Sequence, residues 1–314
     1  MKHRRVSIFL KGAGMGAADA VPGVSGGTIA FITGIYEELI LTIKQFGPSA
    51  WPAWRQGGLR GLFAHLNLGF LIPLLAGVAV SLVSVAHLAL WLMEAHPLLL
   101  DGFFFGLVAA SGLVVGRAGG RRRLWHLLPL LAGLLLAQVL PALMPLVLLV
   151  GNEALIVVLA GAIAISAMLL PGVSGSFLLL TMGLYGTIMG AIKSLDIGII
   201  MLFGIGCLIG LMLFSRLLWW LLKRHHDSTM ALLLGFIVGS LPMLWPWREL
   251  TRYQMGPEGQ VIPLAHRYLL PDDYARLTGD SAQILAVVSL MVVGALLVVL
   301  LNRRAARQAT QFDT

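Results

Sequence analysis

Charge is scarce in this chain. Of its 314 residues only 11% are charged and 58% are hydrophobic, against about 25% charged in an ordinary soluble domain. The mean hydropathy is +0.90. So little polarity excludes a water-soluble globule. Cysteine is nearly absent as well: Cys207 stands alone, so no internal disulfide can form. Histidines, cysteines and acids nowhere gather at metal-ligand spacing, and no metal or other cofactor is expected. No nucleophile–base pair stands out either, which argues against a membrane-embedded enzyme. The Gly-x4-Gly-Lys-Ser/Thr phosphate loop is missing.

What the chain has in abundance is apolar sequence. Runs at Asn67–Met93, Leu98–Val115, Leu124–Val150, Ile197–Leu222, Met230–Pro246 and Ile284–Leu301 reach or approach the roughly 20 residues that cross a hydrocarbon core. The chain therefore reads as an all-α polytopic membrane protein. Its net charge of +8 fits basic residues flanking cytoplasmic helix ends. No basic patch interleaved with stacking aromatics points to nucleic acid. Met1-Lys-His-Arg-Arg precedes a stretch too short and polar for a signal-peptide core, so it is read as part of the mature chain.

A polar string interrupts the first apolar segment: Asp19-Ala-Val-Pro22-Gly23-Val-Ser25-Gly26-Gly27-Thr28. Its centre recurs as Pro171-Gly172-Val-Ser174-Gly175, followed by Ser176. Gly34 and Tyr36 follow the first copy, and Gly183 and Tyr185 the second, all 149 residues apart. Further on, Gly77 to Trp91 and Gly106 to Ser111 match Gly206 to Trp220 and Gly235 to Ser240 at a separation of 129. The difference falls in residues 47–66, with Trp51, Pro52, Trp54 and Gly57-Gly58, expected as an interfacial loop of the first half only. Two repeats follow, 1–150 and 151–314.

Each string combines Pro, which lacks an N–H and disfavours helix before it, with glycines that adopt backbone closed to other residues. The strings are read as tips of re-entrant helical hairpins, each half adding about three transmembrane helices. An odd number of spans inverts the second half. Most Lys and Arg then share one face, which the positive-inside rule makes cytoplasmic, with both termini there. The long loop over residues 247–281 falls outside the cytoplasm. Paired broken helices in inverted repeats point to a midplane binding site, as in secondary transporters.

Freed N–H groups after each break, with the hydroxyls of Ser25, Thr28, Ser174 and Ser176 and the backbone of Gly26, Gly27 and Gly175, suit an oxyanion. Asp19 lies inside the first hairpin and Met168 holds the matching place in the second. Glu37 is answered by Gly186. Both acids are candidates for coupling or gating, since intramembrane charge is costly; a helix cap for Asp19 and an interfacial place for Glu37 are the simpler alternatives. Asp101, near a span end, reads as a cap. Arg216 either snorkels to the surface or meets an anionic headgroup.

Gly14-x-Gly16-x-x-Asp19-x-Val-Pro22-Gly-Val-Ser-Gly-Gly-Thr28, then Gly34-x-Tyr36-Glu37, resembles the signature of the bacterial PopT-type undecaprenyl phosphate translocases, a family once catalogued only as a membrane domain of unknown function. The second copy and the two-repeat layout resemble it too, although Gly175-Ser176 replaces Gly26-Gly27. The resemblance implies a transporter that returns polyprenyl phosphate, the carrier lipid of cell-envelope synthesis, across the bacterial inner membrane. The expected partners are that lipid, the bilayer and, as an open option, further copies of the chain. A secondary transporter of a small soluble anion remains the alternative from the residues alone.

Overall fold

The computed structural model describes residues 2–19, 25–118, 126–255 and 261–312. Its elements are almost all helices. The first half runs α1 Lys2–Asp19, α2 Gly26–Ile32, α3 Tyr36–Lys44, α4 Ala50–His65, α5 Leu68–Ala95, α6 Pro97–Ala118 and α7 Leu127–Leu143, which tightens into a 3-10 segment, Met144–Val150. The second half runs α8 Glu153–Leu169, α9 Gly175–Thr181, α10 Tyr185–Ser194, α11 Ile197–Arg224 and α12 His226–Ser240. After a short 3-10 turn come strands β1 Arg248–Met255 and β2 Val261–Tyr268, then α13 Pro271–Thr278 and α14 Ile284–Phe312. Among the described residues, four helices are long and apolar enough to cross a membrane, and as many as seven if each bent pair is counted as one span.

Three expectations need correction. Residues 47–66 are largely helical rather than a loop. α4 fills Ala50–His65 with a kink at Gly58 (φ 58°) and buries none of its residues. Such a helix, with Trp51 and Trp54 exposed, suits an interface because an apolar–polar boundary can stabilise helix that no core supports. The stretch over 247–281 is also structured. β1 and β2 pair antiparallel from Arg248↔Tyr268 to Met255↔Val261, a small sheet added to the all-α architecture, and α13 follows it.

The third correction concerns the arm after each string. A hairpin tip implies a single helical arm on each side, and the arm is instead two short helices. Gly34 and Gly183 take φ of +71° and +75°, a left-handed conformation that glycine adopts without a Cβ penalty. α2 and α3 thus meet at 119°, and α9 and α10 at 107°. The matched Gly-x-Tyr of the sequence is this second bend, with Tyr36 and Tyr185 opening α3 and α10.

Packing follows the glycines. α1 lies on α5 and α8 on α11, while α6 lies on α14 and α12 on α7. At Gly12, Gly77, Gly161 and Gly206 an added Cβ would overlap the backbone carbonyl of Leu74, Phe9, Phe203 and Val158 respectively. Gly106, Gly133, Gly235 and Gly294 stand against Met291, Leu232, Leu130 and Phe103 in the same way. Small residues let backbones approach closely, which is the main source of helix–helix contact where water provides no drive. In the first group the contacts of one half answer those of the other at the separations of 149 and 129, and in the second Gly106 answers Gly235 at 129. Gly133 and Gly294 add a third, 161, which relates α7 to α14. The largest buried cluster draws Phe31, Tyr36, Leu39 and Ile40 of the first half together with Leu169, Leu218, Leu233 and Ile237 of the second.

Candidate functional site

The two polar strings meet. Ser25 opens α2 in an extended conformation, and its Oγ accepts the Gly27 N–H at 3.1 Å. Ser174 does the same for α9, accepting from Phe177 N–H at 3.4 Å and lying 3.0 Å from the Ser176 hydroxyl. These are N-cap bonds, which satisfy donors orphaned at helix starts. Each string therefore begins a helix as well as ending one.

Around the strings, three bonds among the described residues join the halves. The Gly172 N–H donates to Thr28 Oγ1 at 2.8 Å. Ser25 Oγ donates to the Leu170 carbonyl at 3.4 Å, and Tyr36 OH donates to the Leu169 carbonyl at 2.6 Å. Thr28 and Ser25 are fully buried, at 0% and 1% exposure. In hydrocarbon an unpaired N–H or C=O costs several kcal/mol, at least ~2, so each broken helix end satisfies its partner's. Gly172 has φ +84° and abuts Ser240 Oγ and the Phe236 carbonyl, so glycine is required there on two counts. Pro171 and Val173 are buried beside it. Pro22 and Gly23 lie outside the described residues.

α1 clamps α2 by charge. The Asp19 carboxylate accepts the Gly26 N–H at 2.7 Å, at the start of α2. Lys11 Nζ donates to the Thr33 carbonyl at 2.8 Å, at its end. An anion at a helix N-terminus and a cation at a C-terminus both oppose the macrodipole favourably. Lys11 and Asp19 are eight residues apart, about 12 Å along α1 at 1.5 Å per residue, close to the length of α2. The matching residues of the second half, Ala160 and Met168, carry no charge. The capping alternative for Asp19 is thus realised geometrically, and Lys11 is its unforeseen partner. Its recognition would have required knowing that α1 and α2 fold back on one another.

The structure does not bring Glu37 or Arg216 to this junction. Glu37 Oε1 pairs with His226 Nε2 at 3.1 Å on an exposed face. The hydrogen bond that His226 donates to Glu37 is the chief reason it holds its proton above the usual imidazole range. Arg216 donates through Nη1 to the Met212 carbonyl at 2.6 Å and through Nη2 to the Phe46 carbonyl at 3.2 Å, beyond the end of α3. Asp101 is no cap: it accepts from Arg248 Nη2 at 2.8 Å, a partner 147 residues away that no local pattern announces.

Hydroxyls, backbone amides and one carboxylate gather where helices from the two halves break, inside an apolar protein. The profile of the "VCA0040-like: Undecaprenyl phosphate translocase-like" family matches residues 15–262, which include these groups. The chain belongs to that family. A Polyprenyl-phosphate transporter of Vibrio cholerae serotype O1 is 43% identical over 300 residues, covering 96% of this chain and 97% of the relative. A Polyprenyl-phosphate transporter of Staphylococcus aureus is 33% identical over 262 residues, covering 76% and 85%. No solved structure matches the chain. The family membership places the junction of α1, α2, α8 and α9 in a translocase-like protein whose relatives are named for a lipid phosphate.

Proposed function

We propose that this protein translocates undecaprenyl phosphate across the bacterial cytoplasmic membrane, returning the carrier lipid for envelope synthesis. The relatives' names supply the substrate class. A phosphate monoester carries roughly −1.5 to −2 charge at neutral pH, and passage of such a group through hydrocarbon without compensation costs tens of kcal/mol in the idealised limit, ~20 or more. A transporter must therefore offer polar groups at depth while leaving the prenyl tail in lipid. It binds and moves its substrate; no chemical step is assigned to it.

The observation that carries this reading is the direct bonding of the two strings, Thr28 to Gly172 and Ser25 to Leu170. We read the halves, 1–150 and 151–314, as inverted repeats with re-entrant tips, both termini in the cytoplasm and residues 247–281 outside. The matched glycine contacts of the paired helices support that reading. In the state described here the tips are closed on each other. Opening them frees the Gly172 N–H and the hydroxyls of Ser25, Thr28, Ser174 and Ser176, with the Gly26, Gly27 and Gly175 backbone, for phosphate oxygens. Asp19, which already holds the Gly26 N–H, is the competing anion that ejects the headgroup. Glu37 acts at a distance, on the face it shares with His226. Pro171 and Gly172 keep the second helix broken, the role the sequence assigns to Pro22 and Gly23 in the first string.

The test is proteoliposomes carrying radiolabelled undecaprenyl phosphate and treated from outside with a membrane-impermeant phosphatase. The expected result is loss of phosphate from the whole lipid pool with protein and from the outer leaflet alone without it. Equal protection in both kinds of vesicle would sink the function. Wild-type rates in a folded Ser25→Ala/Ser174→Ala variant would sink the site. Inhibition by millimolar inorganic phosphate as strong as by added lipid phosphate would favour the small-anion alternative.

A further inference from the structure

A second cationic feature lies apart from the tips. The last turns of α11 carry Arg216, Trp219, Trp220, Lys223 and Arg224, and with Lys44 at the end of α3 they line a groove of about 620 Å³. Positions 216, 219, 220 and 223 are spaced three, four and seven apart, which puts them on one helix face. The face climbs about 10 Å from Lys223 to Arg216 at 1.5 Å per residue. Lys44 Nζ stands 5.5 Å from the centre of the Trp219 ring, a cation–π contact that holds the ammonium over an apolar wall. Arg216 is braced by two carbonyls, of Met212 and Phe46, and a guanidinium has more N–H donors than those two bonds use. Among the described residues, no carboxylate pairs with any of the four cations.

The positive-inside pattern accounts for Lys223 and Arg224 at a helix end; it does not account for Arg216, about 10 Å further up the helix, or for Lys44 held over Trp219. The outer counterparts are read off at the repeat separations. His87 answers Arg216, Lys193 answers Lys44, Glu94 answers Lys223 and Ala95 answers Arg224. Four cations at one end thus face a mixed, nearly neutral set at the other. The end concerned is the one that bears Arg4, paired with Glu38, and His226, paired with Glu37.

We propose that this groove is a second station for the substrate, a site at the membrane end of α3 and α11 that receives the phosphomonoester headgroup of a polyprenyl lipid after it leaves the tips. It rests on the translocase reading given above. Arg216 and Lys44 take phosphate oxygens, guanidinium by paired N–H donors and ammonium as a point charge. Trp219 and Trp220 flank the first isoprene units, and Lys223 and Arg224 lead to the surface. The one-sided charge makes the headgroup's affinity differ between the two ends, while net flux follows the lipid's own gradient.

The experiment measures binding and transport separately, on the full chain. Binding of a polyprenyl monophosphate to protein in phosphatidylcholine nanodiscs is followed by tryptophan fluorescence and by retention of radiolabel. It is compared for the wild type, Lys44→Gln/Lys223→Gln and Arg216→Gln, with Arg55→Gln/Arg60→Gln on α4 as a control that removes as many charges as the double variant. Loss of charge-assisted bonds should weaken binding about tenfold or more in the groove variants and leave the control unchanged. Competitors separate the sources: polyprenyl phosphate should displace the label, while the uncharged polyprenol, inorganic phosphate and phosphatidylglycerol should not. Wild-type affinity in both groove variants, equal loss in the control, or equal displacement by phosphatidylglycerol would each overturn the station. The phosphatase assay reports the translocase reading independently. Wild-type transport with unaltered groove-variant binding removes the station and keeps that reading; no wild-type transport removes the reading itself.

Discussion

Thr28→Val replaces the hydroxyl that joins the two halves with a methyl group of nearly the same shape. Thr28 is 0% exposed and its Oγ1 accepts the Gly172 N–H at 2.8 Å. The variant leaves that N–H buried without an acceptor. Loss of an interhelical hydrogen bond in a membrane protein costs about 0.6 kcal/mol on average. A buried donor left unsatisfied raises the penalty to about 1–3 kcal/mol. Gly172 has no easy escape, because its φ of +84° and its contacts with Ser240 and Phe236 fix its backbone. We therefore expect a loss of about 1–3 kcal/mol, roughly 5- to 150-fold in the folded-to-unfolded ratio. Thr28→Ser, which keeps the hydroxyl, should recover most of the hydrogen-bond share. The assay is reversible unfolding in mixed micelles, with tryptophan fluorescence as the readout. A Thr28→Val protein within about 0.5 kcal/mol of wild type, the ordinary range for a substitution away from any special feature, would refute the junction as a structural joint.

Other expectations follow from particular contacts. Asp19→Asn keeps an acceptor for the Gly26 N–H and removes the charge, so it should cost about 0.3–1 kcal/mol, whereas Asp19→Ala removes the cap as well and should cost about 0.5–2 kcal/mol; the same micelle titration measures both. His226 has its proton affinity raised, chiefly by the Glu37 hydrogen bond. Its contribution to stability is therefore complete below the unfolded value of about 6.5 and is lost as pH rises through the higher folded value. Imidazole NMR should show the His226 midpoint falling in Glu37→Gln, and an unchanged midpoint would count against the pair. Arg248→Met strands the Asp101 carboxylate, whose side chain is 17% exposed, and should destabilise by about 1–3 kcal/mol; Asp101→Asn in the same background should restore part of that, as a double-mutant cycle can record.

Much of the architecture was legible because its signals are short-range. Apolar length marked the spans, and Pro-Gly strings marked the breaks, since neither residue continues a helix without cost. Gly34-x-Tyr36 and Gly183-x-Tyr185 were visible as a matched pair, although their meaning, a second bend with positive φ at each glycine, was not. The relation of α7 to α14 escaped notice because their apolar side chains face lipid and any apolar residue serves there. Only Gly133 and Gly294, where backbones touch, keep the register. The helix over 50–65 and the β1–β2 pair were missed because nothing buried depends on α4, and because pairing within 248–268 is set by register.

The site divides in the same way. The sequence by itself marked the polar groups at each helix break, because hydroxyls, glycines and an acid stand out in an apolar chain. It determined the asymmetry too, since Asp19 faces Met168 and Lys11 faces Ala160 across the repeat. Only the tertiary structure decided who meets whom. Thr28 finds Gly172 and Tyr36 finds Leu169 across more than 130 residues of chain. Lys11 and Asp19 close on the two ends of α2, and Arg216 stands with Lys44 and Trp219 instead of at the tips. These are contacts between helices distant in sequence, and their geometry is set by close-packed glycines, not by the residues that make them.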